Sequence, residues 1–365
     1  MNITRFSLAA ALASSVLLTG VNGQSTTTAT TDPVGFVTVG ITAGTGAAKK
    51  NTLFSVPLLE SETITGQVAG VVTGVTSNTI VNTNAGWSPG ALSVPATPYF
   101  VEITTGTAVG RQFLIGSSAN TAGAILGVAN TANTITISSV DATQVNLTNI
   151  GVAVGDEYKI YACDTLSSFF GTPGTSGILG GATVAAADSI VMQINGTATT
   201  YWYKTDAVPP RWSKSGAGNV DSSNVALVPY NGVTYSRLSN TALRFVVTGQ
   251  VPTVEREMSI KNSGGTIMSQ FWPTATTLSN LNLQSVPGWL AGASTAVADT
   301  VVLYNTNGTA GTYWYNGTNW RKTGAGFPIS DTVAVDIGTA VQISKKGTAT
   351  GYSPLTQSVP YSLNN

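Results

Sequence analysis

Apolar and polar positions alternate along most of this chain with a period of two, not the 3.6 of a helix. The run Asp32-Pro33-Val34-Gly35-Phe36-Val37-Thr38-Val39 opens the first predicted strand, and 51–58 forms the next after a glycine-rich turn. From Gly66 the pattern is a meander of short strands. Residues 99–103 and 111–115 flank a turn carrying Gly106 and Gly110. Residues 133–137 make another strand, and Gly155-Asp156 turns tightly into 158–161. Val, Ile, Thr and Tyr suit a pleated, half-buried surface, and Gly, Asn and Asp supply the turns. Beyond the first residues, no long amphipathic run with Glu and Lys on an outer face interrupts this pattern. It predicts an all-β protein of tandem β-sandwich or small-barrel modules.

Self-comparison predicts a duplication in the C-terminal half. Thr165-Leu166-Ser167 matches Thr277-Leu278-Ser279. Across 177–188 and 288–299, seven of twelve positions are identical, and each window ends on an aspartate, Asp188 and Asp299. Tyr201-Trp202-Tyr203 matches Tyr313-Trp314-Tyr315, Trp212 matches Trp320, and Ser236-Arg237 matches Ser344-Lys345. The offset is 112 residues at the Tyr-Trp-Tyr block and 108 at the tryptophan. A longer hairpin tip in the first copy, 204–211 with Pro209-Pro210, absorbs the difference, as a surface loop tolerates. In the second copy Asn316-Gly317 reads as a two-residue hairpin turn. That turn sets Tyr315 opposite Thr318 and Tyr313 opposite Trp320. Tyr313, Tyr315 and Trp320 then share one face, and Trp314 takes the other.

Composition narrows the chemistry. The 365 residues include 16 Lys+Arg, 16 Asp+Glu, no His and one Cys, and 9% are charged, against about a quarter in an average protein. Without histidine there is no Ser-His-Asp triad, no Cys-His nucleophile and no His-liganded metal. A single cysteine allows neither an intrachain disulfide nor a Cys-cluster metal site. Cys163 ends an alternating stretch and reads as a small buried hydrophobe, with intermolecular pairing as the alternative. A net charge of zero offers nucleic acid no electrostatic footprint. At 42% hydrophobic the chain does not have a disordered composition. So few edge charges also leave its strands little protected against edge-to-edge pairing.

Arg5, the apolar run 6–18 and Val21-Asn22-Gly23 read as an export signal cleaved before Gln24, with an apolar run too short to span a bilayer. The predicted organisation is a signal peptide at 1–23, a flexible Ser/Thr-rich leader at 24–31, an N-terminal β domain at 32–164, and repeat copies at 165–276 and 277–365. A membrane barrel fits less well, because the repeat is unequal and the chain ends Leu363-Asn364-Asn365 without a terminal aromatic.

Several blocks together resemble a family of exported verrucomicrobial all-β proteins with no assigned activity. They are the Asp32-Pro33-Val34-Gly35-Phe36-Val37 start behind a signal peptide, Tyr99-Phe100-Val101-Glu102-Ile103 with Gly106, Gly110 and Arg111, Gly155-Asp156-Glu157-Tyr158-Lys159-Ile160, and the Tyr-Trp-Tyr-Asn-Gly…Trp-Arg stretch at 313–321. The similarity covers most of the chain after the signal. It departs at Asp164, where members often carry an aromatic before the Thr-Leu that is Thr165-Leu166 here. The resemblance implies bacterial export and leaves function open.

Paired carboxylates are the remaining route to catalysis, since glycoside hydrolysis needs two. The close pairs are Glu60/Glu62, Asp156/Glu157 and Glu255/Glu257, all of which also suit turn, cap and surface roles. Asp188 and Asp299 read as turn caps before strands, and no DxDxDG loop supports a shared calcium site. Gly40…Gly44…Gly46 lacks the Gly-Lys-Ser/Thr ending of a phosphate loop. No catalytic residue, metal or cofactor is predicted. The ligand-binding candidates are Tyr201, Trp202, Tyr203, Trp212, Tyr313, Trp314, Tyr315 and Trp320. Their rings make a platform for a sugar if exposed and ordinary cross-strand packing if buried. The leading expectation is an exported, non-catalytic structural or interaction protein of the cell surface or extracellular matrix. Its partners would be further copies of the chain or other envelope proteins. Glycan binding, with polysaccharide as partner, is the alternative, and a carboxylate-dependent polysaccharide hydrolase the third.

Overall fold

The computed structural model describes residues 33–60, 66–94, 96–116, 128–194, 197–218 and 220–362. The expected signal peptide and leader, and Glu62, lie outside them. The fold is all-β, with strands divided among eight sheets of two to five strands. Among the described residues no helix is long and apolar enough to cross a membrane.

A five-stranded sheet runs in the spatial order Arg211–Lys214, Thr197–Lys204, Ser189–Ile194, Val233–Arg237, Lys50–Phe54. It packs against a two-stranded ribbon, Val34–Ile41 antiparallel to Leu243–Gln250. Val37, Val39, Ile41, Phe245 and Val247 of the ribbon share one core with Ile190, Tyr201, Trp212 and Tyr235 of the sheet. The alternation in Val34–Ile41 does what period two dictates: its even-numbered positions are exposed while 37, 39 and 41 are buried.

A second sheet has the order Trp320–Lys322, Ala310–Tyr315, Thr300–Tyr304, Ala340–Lys345, Gly264–Ser269. Its ribbon is Arg256–Lys261 paired with Tyr352–Gln357. Met258, Ile260 and Leu355 meet Val301, Tyr313 and Ile343 in its core. In each body a two-residue strand that lies between the first and second sheet strands in chain order pairs with one that follows the fourth. These pairs are Asp164–Thr165 with Ala226–Leu227, and Thr276–Thr277 with Ala334–Val335. Leu53, Ile267 and Ala340 pack the two sheets together.

Between Leu59 and Cys163 the chain builds a third body. A four-stranded sheet (Ala69–Val71, Glu157–Ala162, Tyr99–Ile103, Gln112–Leu114) and a three-stranded one (Gly74–Val75, Thr79–Val81, Thr134–Thr136) enclose Ile80, Trp87, Val101, Phe113 and Ile135. The glycine-rich turn before Arg111 has a packing reason. Gly110 has φ +80°, and a Cβ there would lie 1.9 Å from the Glu255 carbonyl oxygen.

These pairings redraw the boundaries read from sequence. Val34–Ile41 and Lys50–Phe54, placed there in the 32–164 domain, pair with Leu243–Gln250 and Val233–Arg237. Arg256–Lys261 and Gly264–Ser269, placed in the 165–276 copy, pair with Tyr352–Gln357 and Ala340–Lys345. Alternation marks a segment as a strand but does not name its neighbour, and the first two strands of each body share no residue block that would have set them side by side.

The 313–322 hairpin also departs from the expected register, by two residues. Tyr315 faces Trp320, Trp314 faces Arg321 and Tyr313 faces Lys322. Asn316 N–H donates to the Asn319 carbonyl at 3.0 Å, which puts Gly317-Thr318 at the centre of the turn. Gly317, at φ +101°, takes the first central position as in a type II′ turn. Asn316 Oδ1 sits outside the turn and accepts from the N–H groups of Thr318 and Asn319. A slip of two keeps every side chain on its face, so the predicted grouping of the rings survives.

Candidate functional site

The eight aromatic candidates fall at matching places in the two sheets. Tyr201 and Trp212 lie in the first core, and Tyr313 and Trp320 in the second. Tyr203 packs on Trp212 and Tyr315 on Trp320, with ring centres 6.0 and 5.8 Å apart. On the outer face, Trp202 Nε1 donates to the Gly181 carbonyl, and Trp314 stands edge-on to Phe327. Tyr201, Trp202, Trp212, Tyr313, Trp314 and Trp320 are buried, and Tyr203 and Tyr315 half-buried. A buried ring offers no face to a sugar, so these eight do not make a surface platform. Cross-strand packing is their role. Six of the seven tryptophans are buried; the native protein should therefore emit at blue-shifted wavelengths and resist iodide quenching. Red-shifted, readily quenched emission would show the rings to be exposed.

The recurring aspartates are buried ion-pair nodes and not local turn caps. Asp188 Oδ2 accepts from Leu179 N–H at 2.8 Å, from the Tyr235 hydroxyl at 2.8 Å and from the Arg237 guanidinium, while Oδ1 accepts from Leu238 N–H at 2.8 Å. Asp299 repeats the arrangement with Leu290 N–H, Lys346 N–H and the Lys345 ammonium, the last at 2.8 Å. Arg237 also donates to the Gly177 carbonyl and Lys345 to that of Gly288. Each carboxylate is thus satisfied by a protein cation. Among the described residues no group of three or more His, Cys, Asp or Glu side chains is placed to hold a metal ion.

Three of the close carboxylates within the described residues, Glu257, Asp156 and Glu60, have separate protein partners. Glu257 is bound to Arg111 at 2.5 Å, and Arg111 also donates to Ser259. Asp156 is buried and accepts from Ala153 N–H, while Glu157 is exposed. Glu60 instead hydrogen-bonds Asp164, and burial pushes the Asp164 carboxyl up, against the hydrogen bonds from Ser168 and Glu60. That contact spans more than a hundred residues of sequence, so no spacing rule could have found it. Beside it, burial above all, with Asp164 and Glu60 adding negative charge, pushes the Cys163 thiol well up. Such a thiol is a poor nucleophile.

Two polar seams join the third body to the rest of the fold, one at the second ribbon and one at Tyr230. In one, buried Glu102 pairs with buried Arg256, and burial raises the Glu102 carboxyl despite that partner. In the other, Asp141 on the short helix Ser139–Gln144 accepts from Leu114 N–H, Ser138 Oγ and the Tyr230 hydroxyl. Burial pushes its carboxyl up to about 6. The charged side chains pair across the joint, while Arg256 Nη2 is buried with no hydrogen-bond partner among the described residues.

A cleft of about 720 Å³ falls within the range of small-ligand sites, about 300–1,000 Å³. One wall is the ribbon from Thr38 to Thr42, with Thr52 and Leu53. The other is built from Tyr304, Asn305, Thr306, Tyr313, Lys322 and the stretch 333–339. Lys322 Nζ lies over the Tyr313 ring, 5.8 Å from its centre, so one of the eight candidate aromatics does reach this wall. The lining carries hydroxyls, an amide, one ammonium and one carboxylate, Asp336. A hydrolase of the two-carboxylate kind needs a second acid across the cleft. What the lining does offer is hydrogen bonding along an extended wall.

Fold and site together define an all-β protein with a polar cleft beside a strand edge. No protein-family model, curated protein or solved structure matches the chain.

Proposed function

We propose that this chain is an exported, non-catalytic structural or interaction protein of the cell surface or extracellular matrix. In this reading it consists of two copies of one β unit, the first interrupted by the third body. The observation that carries it is the cleft, which runs along an open strand edge and has one carboxylate in its lining. Such a site binds by hydrogen bonding and shape; it does not supply an acid and a base to one bond. The shared strand order of the two sheets and the matching Asp188/Arg237 and Asp299/Lys345 nodes support the two-copy reading. The signal-like first 23 residues and the resemblance to exported verrucomicrobial proteins support export.

Purified protein starting at Gln24, incubated with isolated envelope fragments and with a panel of polysaccharides, tests the reading. It should cosediment with the envelope fragments and release no sugar from any polysaccharide. Hydrolysis without envelope binding would overturn it.

A further inference from the structure

The ribbon Val34–Ile41 has one edge bonded and one edge open, and the hydrogen bonds at its ends say which groups are which. Val251 N–H donates to the Pro33 carbonyl at 2.7 Å, while on the far side of Leu243–Gln250 the residues Leu59 and Gln250 exchange both bonds. In an antiparallel pair, bonded positions alternate. Residues 35, 37, 39 and 41 therefore bond across the ribbon, and the N–H and C=O groups of Val34, Phe36, Thr38 and Gly40 point away from it. Among the described residues these groups have no hydrogen-bond partner.

The second ribbon shows the same edge covered. There Glu257 N–H, which points away from Tyr352–Gln357, donates to the Gly110 carbonyl, and Lys261 N–H donates to Thr266 Oγ1. The third body and the adjoining strand Gly264–Ser269 thus protect the second edge. The first has no such cover, and it lacks the devices that usually blunt an open edge. None of its eight residues is charged or proline, and Val34 and Phe36 are 78% and 73% exposed. From Thr38 to Thr42 this same strand forms the wall of the 720 Å³ cleft.

An open ladder of alternate peptide groups is matched by the backbone of another extended chain. We infer that the edge of Val34–Ile41 takes up the segment 24–32 of a second copy as an added strand, joining copies head to tail; this rests on the interaction-protein reading above. The segment Gln-Ser-Thr-Thr-Thr-Ala-Thr-Thr-Asp has nine residues, five of them threonine, and neither Lys, Arg, Gly nor Pro. Extended, it spans about 30 Å at roughly 3.3 Å per residue, the length of the eight-residue edge. β-Branched residues favour the strand state. It joins the ribbon at Pro33, and a residue before proline favours extended backbone. That preference opposes the sharp reversal needed to reach the chain's own edge and directs the segment to a neighbour. A donor segment at one place and an acceptor edge at another make a heterologous contact, which propagates as an open filament when the rotation does not close.

The test compares the protein starting at Gln24 with one starting at Asp32, and uses a labelled peptide of residues 24–32 as probe. The longer protein should assemble with rising concentration in sedimentation velocity, and the shorter should stay monomeric and bind the peptide. Thr38→Pro removes an outward N–H while leaving the ribbon's cross-strand bonds in place, and it should abolish both assembly and peptide binding with an unchanged melting temperature. Thr38→Lys, a charge on the same edge, should do the same should the proline variant fail to fold. Assembly of the shorter protein to the same extent, or peptide binding untouched by both variants, would overturn the inference, as would a soluble polysaccharide occupying the cleft in place of the peptide. Envelope binding with no peptide uptake sinks the inference alone. Peptide uptake without envelope binding sinks the broader reading.

Discussion

Replacing Arg237 by methionine should destabilise the protein by about 3–5 kcal/mol, the loss typical of a buried ion pair that keeps one charge. The side chains of Asp188 and Arg237 are 3% and 2% exposed. Asp188 would keep its bonds from Leu179, Tyr235 and Leu238 but lose Arg237, the cation that hydrogen-bonds it among the described residues. Asp188→Leu combined with Arg237→Met should recover part of the loss, because removing both charges leaves none uncompensated. Lys345→Met should act alike in the second sheet, through Asp299, where the pair is 1% and 0% exposed. Urea denaturation of the single and double variants measures all of these. A loss below about 1 kcal/mol, the scale of an exposed pair, would show the node to be hydrated.

The pH dependence of stability is the second large effect. Burial pushes the Asp141 carboxyl from 3.8 up to about 6, so the folded protein holds a proton that the unfolded chain releases at lower pH. The associated stability is fully present below about pH 3.8 and is lost as pH rises through about 6. Two pKa units correspond to about 3 kcal/mol. Burial moves Glu102 and Asp164 in the same direction. The clean measurement is the difference between the native protein and Asp141→Asn, which cannot ionise. Between pH 4 and pH 7 the native protein should lose about 2.4 kcal/mol relative to the variant. Parallel stability curves would show that Asp141 ionises normally in the fold.

The eight aromatic candidates show how far a sequence can be read toward a site. Their grouping on faces was legible in the alternation, because a strand's side chains have a period of two whatever the register. Their burial was not, because a ring pattern is the same whether its partner is solvent or a facing ribbon. The carboxylates taught the converse. Glu60 stood out beside Glu62, but its structural partner is Asp164, and Glu257, singled out beside Glu255, is held by Arg111. Proximity in sequence and proximity in the fold are independent across a β topology of this kind. The cleft had no signature at all, since its walls come from six separated stretches of chain.

Sequence by itself determined the all-β class, the positions of about half the strands, the absence of histidine chemistry and the likeness of the two Tyr-Trp-Tyr blocks. Each of these is local: it follows from alternation, turn residues or direct likeness. Tertiary structure alone decided that strands 34–41 and 50–54 close the first sandwich, that a third body sits between them and the rest of it, and that Asp188 and Asp299 meet buried cations. It also decided which ribbon edge is covered and which is open. Those are matters of partner choice between distant segments, and period-two alternation says which side of a strand is buried without saying what lies against it.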